Sequence, residues 1–455
     1  MSVPLDTSQP LLRSRRFWPL LGVQSLGPFA DNLLRGSTIV AVFATAGAAF
    51  GSEAFSLPWG MAENASAVVS ISFTLPIFLF SVISGQLADK IDRHTFLRWV
   101  KAAEIALMLF AAACFALGSG LVLIFALFLM GTQSAFFGPV RNALMPQYFP
   151  GADLPRANGW YNAAQFVAMV AGLFVGAAFT NAQMFGMAGG GRLLVAVILV
   201  VAAVLGTACA FLAPRAPAPG LARIDWNVPR VAARQYAHVF SMRPVFYPML
   251  GVSWFWGLSA FNLANLPNFI RDELGRGDGA FAGIMVVIAV GSALGSIVAG
   301  TLAGRVRQPF VLAGVGVAGT ILAAAATWWF ARGVDPGVAG GSAALTLTIA
   351  AITLAAASNS VFAVPMMAAV QGRAPEAERA RVMGTLNMTN GGLATLGSFI
   401  VPPLRGAGLD AGEVFLAGAA MQTLLLAFMV KRRADVRAGR AAPSRTGRDA
   451  PPLPT

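Results

Sequence analysis

The chain has 455 residues, of which 57% are hydrophobic and only 11% are charged. A soluble domain carries about 25% charged residues, so this composition excludes a cytosolic enzyme, a disordered chain and a secreted disulfide scaffold. The two cysteines, Cys114 and Cys209, lie in apolar runs and lack disulfide or metal-binding spacing. These apolar runs are continuous rather than alternating, which argues against a transmembrane β-barrel and predicts membrane-spanning helices.

Twelve apolar segments are long enough to cross a membrane as helices, since about 20 apolar residues suffice for one crossing. In chain order the predicted spans cover residues 17–45, 65–87, 96–117, 121–143, 158–180, 192–213, 245–269, 280–303, 309–330, 343–365, 383–404 and 412–430. The expected fold is therefore an all-α polytopic membrane protein with twelve transmembrane helices.

The basic residues fall mostly on one side of these spans. With a cytoplasmic N-terminus, 26 of the 32 Lys and Arg residues lie at or near the cytoplasmic side and six lie elsewhere. This bias is typical of cytoplasmic loops and predicts that both termini are cytoplasmic. The net charge of +13 then faces anionic lipid, so nucleic acid is not an expected partner.

The last six spans repeat features of the first six. Span two ends in Gly-Gln-Leu-Ala-Asp-Lys from Gly85, and span eight ends in Gly-Thr-Leu-Ala-Gly-Arg from Gly300. The predicted divisions are a six-helix half (1–213), a cytoplasmic linker (214–244), a second six-helix half (245–430) and a disordered basic tail (431–455). Two parallel halves resemble the major facilitator fold, in which substrate binds near the membrane midplane between the halves.

The connection between spans two and three is similar to the major facilitator signature, a Gly-x-Leu-Ala-Asp-Arg type of sequence. In that superfamily this loop is a conformational latch, and its second copy here has Gly304 in place of the acid. The charges of span three also have a structural explanation. Arg98 and Lys101 can snorkel to the cytoplasmic surface, and Lys101 can pair with Glu104. The predicted gating residues are Gly85, Asp89, Arg93, Arg98, Lys101, Glu104 and Arg141.

Span one carries Gln24, Asp31 and Arg35 on one helical face. Asp31 lies about 22 Å along the helix from Arg16, inside a hydrocarbon core of about 30 Å. A carboxylate at that depth costs about 3 kcal/mol on insertion scales and marks a functional site. Two interpretations stay open: an ion pair that neutralises both charges, or a two-pole site with Asp31 for a cation and Arg35 for a phosphate or carboxylate.

Amide side chains in several spans complete the predicted substrate site, although amides also bond one helix to another. The candidate substrate-binding residues are Gln24, Asp31, Asn32, Arg35, Asn162, Gln165, Asn262, Asn265, Asn387 and Asn390. The sequence has no catalytic constellation, phosphate-binding loop or metal-ligand spacing. We therefore expect a protein that is not an enzyme and uses no cofactor or metal.

Two stretches resemble the lysophospholipid transporter family of the major facilitator superfamily. They are residues 29–32, Phe-Ala-Asp-Asn, and residues 128–141, Phe-Leu-Met-Gly-Thr-Gln-Ser-Ala-Phe-Phe-Gly-Pro-Val-Arg. The resemblance implies a flippase that moves lysophosphatidylethanolamine-type lipids across the bacterial inner membrane to the cytoplasmic leaflet for reacylation. It further implies alternating access, headgroup binding at Asp31 and Arg35, surrounding membrane lipids and a cytoplasmic lysophospholipid acyltransferase as a partner.

Two alternatives compete with this expectation. One is a proton-coupled exporter of drugs or small metabolites, in which Asp31 would titrate; the other is a non-transporting scaffold for a lipid enzyme. Such exporters carry a Gly-x-x-x-Gly-Pro sequence in span five, whereas here Ala177 follows Gly176. The spacing of Gly172 and Gly176, and of Gly291 and Gly295, is instead typical of helix-packing faces.

Overall fold

The computed structural model describes residues 10–46, 65–117, 119–180, 182, 184, 190–218, 220, 223–276, 278–305, 309–335 and 342–437. Within these ranges the chain folds into thirteen α-helices. They are α1 (Phe17–Ala46), α2 (Ala65–Lys90), α3 (Arg93–Leu117), α4 (Gly120–Tyr148), α5 (Asp153–Phe179), α6 (Gly190–Leu212), α7 (Val228–Ser241), α8 (Arg243–Asp272), α9 (Asp278–Ala303), α10 (Pro309–Ala331), α11 (Ala343–Arg373), α12 (Arg379–Gly406) and α13 (Ala411–Arg437).

Twelve of these helices correspond to the twelve predicted spans, and α7 is the short helix between the two sets of six. Eight of the twelve are long and apolar enough to cross a membrane by length and composition alone. The other four are α1, α3, α8 and α12. Most of the candidate site residues were predicted in these four helices. Those residues are mainly polar or charged, and they lower the mean hydropathy of the helices that contain them. The chain is a multi-pass membrane protein.

The linker between the halves contains a helix that was not predicted from the sequence. Pro229 occupies the first turn of α7, and the Asn227 side chain caps the helix by accepting the Arg230 N–H at 3.2 Å. Both are ordinary helix-start signals, which the Pro- and Arg-rich composition of the segment obscured. At the other end of the chain, α13 continues seven residues past the predicted span, and residues 438–455 of the predicted tail lie outside the described residues.

The helices pair in the same pattern in each half. In the first half α1 packs against α5 and α6, α2 packs against α4, and α3 packs against α4 and α6. In the second half α8 packs against α12 and α13, α9 packs against α11, and α10 packs against α11 and α13. The second pattern is the first one moved along by seven helices, which is the arrangement that an internal repeat predicts.

The two predicted small-residue motifs are helix-packing faces, as expected. Gly172 and Gly176 of α5 lie against the backbone of α1, and Gly291 and Gly295 of α9 lie against the backbone of α11. At each of the four positions an added Cβ atom would overlap a carbonyl oxygen of the neighbouring helix. Only glycine allows these helix axes to approach so closely.

The two halves meet at one end of the bundle, which we call the basic end; it is where α1 begins, α2 turns into α3, and α7 lies. The seam between α2 and α12 closes at Gly85, which lies against the backbone of Ala380 and Arg381. The seam between α5 and α9 closes at Gly159, which lies against Ser296 and Gly300. In the described part of the chain, all hydrogen bonds that join the two halves directly lie toward this end.

Toward the opposite end, which we call the far end, the halves separate. On α12, Asn387 still packs against Gly138 of α4. One turn farther along, a Cβ atom at Gly391 or Gly392 would meet no other atom within 4 Å, and Thr395, about one turn beyond them, is exposed. The structure is therefore closed at the basic end and open at the far end.

Candidate functional site

Three charged side chains follow one another in the space between α1 and α4. Asp31 on α1 accepts a hydrogen bond from the Ser134 hydroxyl of α4 through Oδ2 at 2.9 Å, and its Oδ1 is buried without a partner. Arg35 lies one turn closer to the far end, and Arg141 lies two turns from Ser134 toward the basic end. We call Arg35, Asp31 and Arg141 the charged column.

The possible ion pair between Asp31 and Arg35 is not among the ion pairs of the described residues. The Arg35 guanidinium lies instead over the ring of Phe73 on α2, 5.1 Å from its centre. No described residue accepts a hydrogen bond from this guanidinium, and its Nε is buried. The interpretation of mutual neutralisation therefore loses its basis, because the two charges are presented separately.

Arg141 was predicted as a gating residue, but its position on α4 groups it with this column. Ser134, Phe137 and Arg141 recur at intervals of three and four residues, so they share one face of α4. The Arg141 guanidinium lies over the Phe137 ring at 5.2 Å and donates no hydrogen bond to a described residue. The same face that supplies a donor to Asp31 therefore also presents a second unpaired cation.

A buried ion pair lies behind the column. Lys101 Nζ and Glu104 Oε2 of α3 are 2.5 Å apart, and Gln133 of α4 donates to the same Oε2 at 2.7 Å. Both charged side chains are at most 1% exposed, so Lys101 does not snorkel as expected, although the predicted pairing with Glu104 is present. Gly27 and Gly206 make room for the lysine, since a Cβ atom at either position would lie 3.4 or 3.1 Å from Nζ.

Five of the eight predicted amides hydrogen-bond within one half, four of them between helices and one within its own helix. Asn32 donates to the Pro28 carbonyl of its own helix at 2.8 Å, and Gln24 donates to Gln165 of α5 at 2.5 Å. In the second half, Asn390 accepts the Ser253 hydroxyl at 2.7 Å, and Asn265 is fully buried with its amide on the Ala411 carbonyl at 2.8 Å. These contacts give each of the five amides a structural partner.

Three other amides lie where the halves face each other or remain unbonded. Asn162 donates to the Ser296 hydroxyl at 2.8 Å and so joins α5 to α9. Asn387 packs against Gly138 at the level where the halves begin to separate. Asn262 on α8 is half-buried and has no hydrogen-bond partner in the described structure. Of the predicted amides, Asn387 and Asn262 are therefore the best placed for a ligand in this conformation.

Comparison with known proteins decides the family. A sequence profile of the Major Facilitator Superfamily matches residues 32–398. The chain belongs to the Major Facilitator Superfamily. It is a membrane transporter of that superfamily, and no curated protein matches its sequence.

Solved transporters share its fold. The human organic anion transporter MFSD10 is 15% identical, with a TM-score of 0.66 over 92% of this chain and 100% of that one. A bacterial homologue of the iron transporter ferroportin in an outward-facing state is 17% identical, with a TM-score of 0.62 over 91% and 98% of the two chains. The Major Facilitator Superfamily transporter FucP in its outward conformation is 14% identical, with a TM-score of 0.65 over 91% and 98%.

The signature loop of this major facilitator protein joins its two halves at the basic end. The Asp89 carboxylate accepts the backbone N–H groups of Ala380 and Arg381, each at 3.1 Å, at the start of α12. It also forms ion pairs with Arg93 at 3.2 Å and with Arg381 at 3.3 Å. A carboxylate at a helix N-terminus is stabilised by the unpaired N–H groups and the helix dipole.

The other predicted gating contacts differ between the halves. In the second copy of the motif, Gly304 stands where the first copy has Asp89, so this position carries no carboxylate. A Cβ atom added to Gly304 would lie 3.0 Å from the Ala152 carbonyl oxygen. Arg98 donates to the carbonyls of Phe211 at 3.0 Å and Ala213 at 3.3 Å, so it caps the end of α6 within the first half. The charged closure of the basic end is therefore asymmetric.

The linker helix α7 is hydrogen-bonded to α12 and to Glu378 at the basic end. The Tyr236 and Thr389 hydroxyls are 2.6 Å apart, Thr385 donates to Gln235 at 3.1 Å, and the His238 ring nitrogen lies 2.7 Å from Glu378. Burial raises the pKa of Tyr236 above its ordinary value, so the phenol stays protonated at neutral pH. Just before α7, the backbone of residue 225 exchanges two hydrogen bonds with the Gln86 side chain of α2. The linker thus holds α2 and α12 together.

Proposed function

We propose that this transporter carries lysophospholipids, with the charged column as the headgroup site. The observation that carries the proposal is a pair of guanidinium groups, on Arg35 and Arg141, that lie inside the bundle without hydrogen-bond acceptors on either side of Asp31. Leaving a charge buried without its partner costs about 3–5 kcal/mol. A ligand with groups of opposite charge removes that cost, so the column favours a phosphate-bearing substrate.

The chemistry of lysophosphatidylethanolamine matches the column group by group. Its phosphate suits the forked donors of Arg35 and Arg141, since guanidinium binds phosphate with two parallel hydrogen bonds. Its ammonium suits the Asp31 Oδ1 atom, which is buried without a partner, while Ser134 holds the other oxygen. A phenylalanine ring lies under each guanidinium and helps to position it before the ligand arrives.

The acyl chain of such a substrate needs an apolar surface that continues from the headgroup site. Large apolar side chains of α2 and α12 are exposed. They are Ile71, Leu75, Phe78 and Leu79 on α2, and Leu396, Phe399 and Ile400 on α12. In this proposal the chain lies along these side chains and reaches the surrounding lipid between the helices.

We further propose the direction and setting of transport. The basic end is cytoplasmic, as the distribution of Lys and Arg predicts, so the open far end faces outward. A lysolipid from the outer leaflet of a bacterial inner membrane enters there, the halves rock, and the basic end opens toward the cytoplasmic leaflet. A cytoplasmic lysophospholipid acyltransferase would then reacylate the product.

Proton-coupled export of drugs or small metabolites is the second candidate. One observation favours it: Asp31 Oδ1 and Glu104 Oε1 are both buried and unpartnered, and a proton on either would remove a negative charge that is costly to bury. A coupled exporter would bind its substrate and a proton in turn at the same column.

Uptake of radiolabelled lysophosphatidylethanolamine into proteoliposomes tests the first candidate against the second. We expect uptake that an uncoupler does not change and that Asp31→Asn, Arg35→Gln and Arg141→Gln each reduce at least tenfold. Arg156→Gln is the control, because this exposed basic-end arginine also loses a positive charge but lies outside the column. Proton-dependent efflux of a drug without lysolipid movement would overturn the proposal in favour of the exporter. Absence of any transport would favour a scaffold.

A further inference from the structure

The charges inside the membrane are confined to the first half and do not balance. Among the described helices, five charged residues lie seven or more positions from either end of their helix. They are Asp31, Arg35, Lys101, Glu104 and Arg141. Three cations and two anions leave a net charge of +1. None of the six long described helices of the second half contains such a residue, so no charge at that depth in those helices compensates the excess.

The excess charge lies in the column and not in the ion pair behind it. Lys101 and Glu104 are in contact at 2.5 Å, are almost fully buried and neutralise each other. What remains is Asp31 between two arginines, and neither guanidinium is hydrogen-bonded to a described residue. In a site of low dielectric constant, an uncompensated unit charge acts strongly on any charged group that enters.

We infer that the column selects headgroups with a net negative charge, so lysophosphatidylglycerol binds more tightly than zwitterionic lysophosphatidylethanolamine. Both lipids offer the same phosphate to the two arginines. The ethanolamine ammonium then adds back a positive charge that only Asp31 can hold, whereas the glycerol group leaves the phosphate charge to cancel the excess. Arg35 and Arg141 are thus specificity-determining residues, because each supplies the unit charge that makes the column positive. This inference rests on the proposed function.

Competition binding to the full-length protein in nanodiscs tests the inference. The probe is radiolabelled lysophosphatidylethanolamine, and the competitors are lysophosphatidylglycerol, lysophosphatidylethanolamine and lysophosphatidylcholine with one common acyl chain. We expect lysophosphatidylglycerol to compete at about tenfold lower concentration than either zwitterion, a ratio equivalent to about 1.4 kcal/mol. Equal competition by all three lipids would overturn the inference and leave the proposed function standing.

Variants separate charge from geometry. Arg35→Gln and Arg141→Gln each bring the column to zero net charge, so the ratio should fall close to one. Arg35→Lys keeps the charge and should keep the preference, while Arg156→Gln outside the column should leave the ratio unchanged. A preference that survives both glutamine variants would contradict the inference. Asp31→Asn moves the column to +2 and should enlarge the preference, and a smaller one would contradict the inference too.

One further competitor distinguishes failure of the inference from failure of the proposed function. Glycerophosphoglycerol carries the same anionic headgroup without an acyl chain. We expect it to compete far more weakly than the lysolipid. If it competes equally well while the charge preference holds, the column binds a soluble anion, so the inference stands in its charge rule and the lysolipid proposal fails.

Discussion

The Asp89 carboxylate binds both the backbone N–H and the guanidinium of Arg381, a residue 292 positions away, at 3.1 and 3.3 Å. Asp89 lies in the last turn of α2 in one half, and Arg381 lies in the first turn of α12 in the other. Closure of the basic end thus depends on a helix-capping contact and an ion pair, and both break when the halves separate. Both residues are at most 9% exposed, so water does not compete for either contact.

Replacing Asp89 by Asn should shift the protein toward the conformation that is open at the basic end. The amide keeps one acceptor but loses the charge that attracts Arg93, Arg381 and the α12 N-terminus, and breaking a buried pair costs about 3–5 kcal/mol. A cysteine at Gly391, where the structure leaves space, reports the far-end opening through its rate of labelling by a membrane-impermeant thiol reagent. In proteins lacking Cys114 and Cys209, we expect at least tenfold slower labelling in Asp89→Asn than with native Asp89.

The matched control for that measurement is Asp153→Asn. Asp153 also lies at the basic end beside an arginine, but its contact with Arg156 is long, at 3.7 Å, and exposed. Exposed pairs of this kind contribute about 0–1 kcal/mol, so labelling should stay within about threefold of the parent protein. Equal slowing in both variants would mean that the assay reports net charge at this end and not the Asp89 closure.

Replacing Gly159 by Leu should prevent the seam between α5 and α9 from closing. A Cβ atom there would lie 2.5 Å from the Ser296 carbonyl oxygen and 3.0 Å from Gly300, and both are backbone atoms that cannot rotate away. We expect the far-end labelling rate to fall as in Asp89→Asn, with little change in thermal unfolding. Gly314→Leu is the control, because a Cβ atom there meets nothing within 4 Å. Unchanged labelling in Gly159→Leu would contradict closure at this seam.

Removing one partner of the Lys101–Glu104 pair should cost more stability than removing both. Lys101→Met leaves a carboxylate buried beside Gln133 alone, at a cost of about 3–5 kcal/mol, whereas Lys101→Met with Glu104→Leu removes both charges and costs less. Thermal unfolding of the detergent-solubilised protein measures this, with the single variant expected to melt well below the double. The opposite order would show that Lys101 is not neutralised by Glu104.

Replacing Ser134 by Ala should weaken ligand binding without unfolding the protein. The hydroxyl is the hydrogen-bond donor to Asp31 in the described structure, and a hydrogen bond to a charged group contributes about 1.5–3 kcal/mol. Without this hydrogen bond the Asp31 carboxylate is no longer held in its position between the arginines, so the dissociation constant for lysophosphatidylethanolamine should rise about tenfold. Thr132→Val on the same helix is the control, since Thr132 bonds its own backbone at Phe128. Full affinity in Ser134→Ala would show that Ser134 does not orient Asp31.

Removing the Tyr236 hydroxyl should loosen the linker helix from α12. The bond to Thr389 contributes about 0.5–1.5 kcal/mol, so Tyr236→Phe should slow far-end labelling at Gly391→Cys about two- to tenfold. Combined with Asp89→Asn, the two effects should add when expressed as free energies, because the contacts share no atoms. A linker that merely connects the halves would leave the labelling rate of the single variant unchanged.

The sequence was sufficient for the helices and for the residues that span one carries. In a membrane, a continuous apolar run of about 20 residues must form a helix, because only a helix satisfies all of its backbone hydrogen bonds internally. Glycine at four-residue spacing indicates that two helices pack closely. The helical period also places Asp31 and Arg35 on one face. The short helix α7 was missed because its start signals lie within a segment rich in Pro and Arg.

The partners of the charges were decided by the tertiary structure alone. Four-residue spacing allows Asp31 to pair with Arg35, yet Ser134 and Phe73, from α4 and α2, take the two side chains separately. Arg141 was assigned to the gate because it lies near the end of its span, but the helical face it shares with Ser134 brings it to the column. Spacing along one helix fixes which groups can meet, whereas the packing of neighbouring helices fixes which of them do.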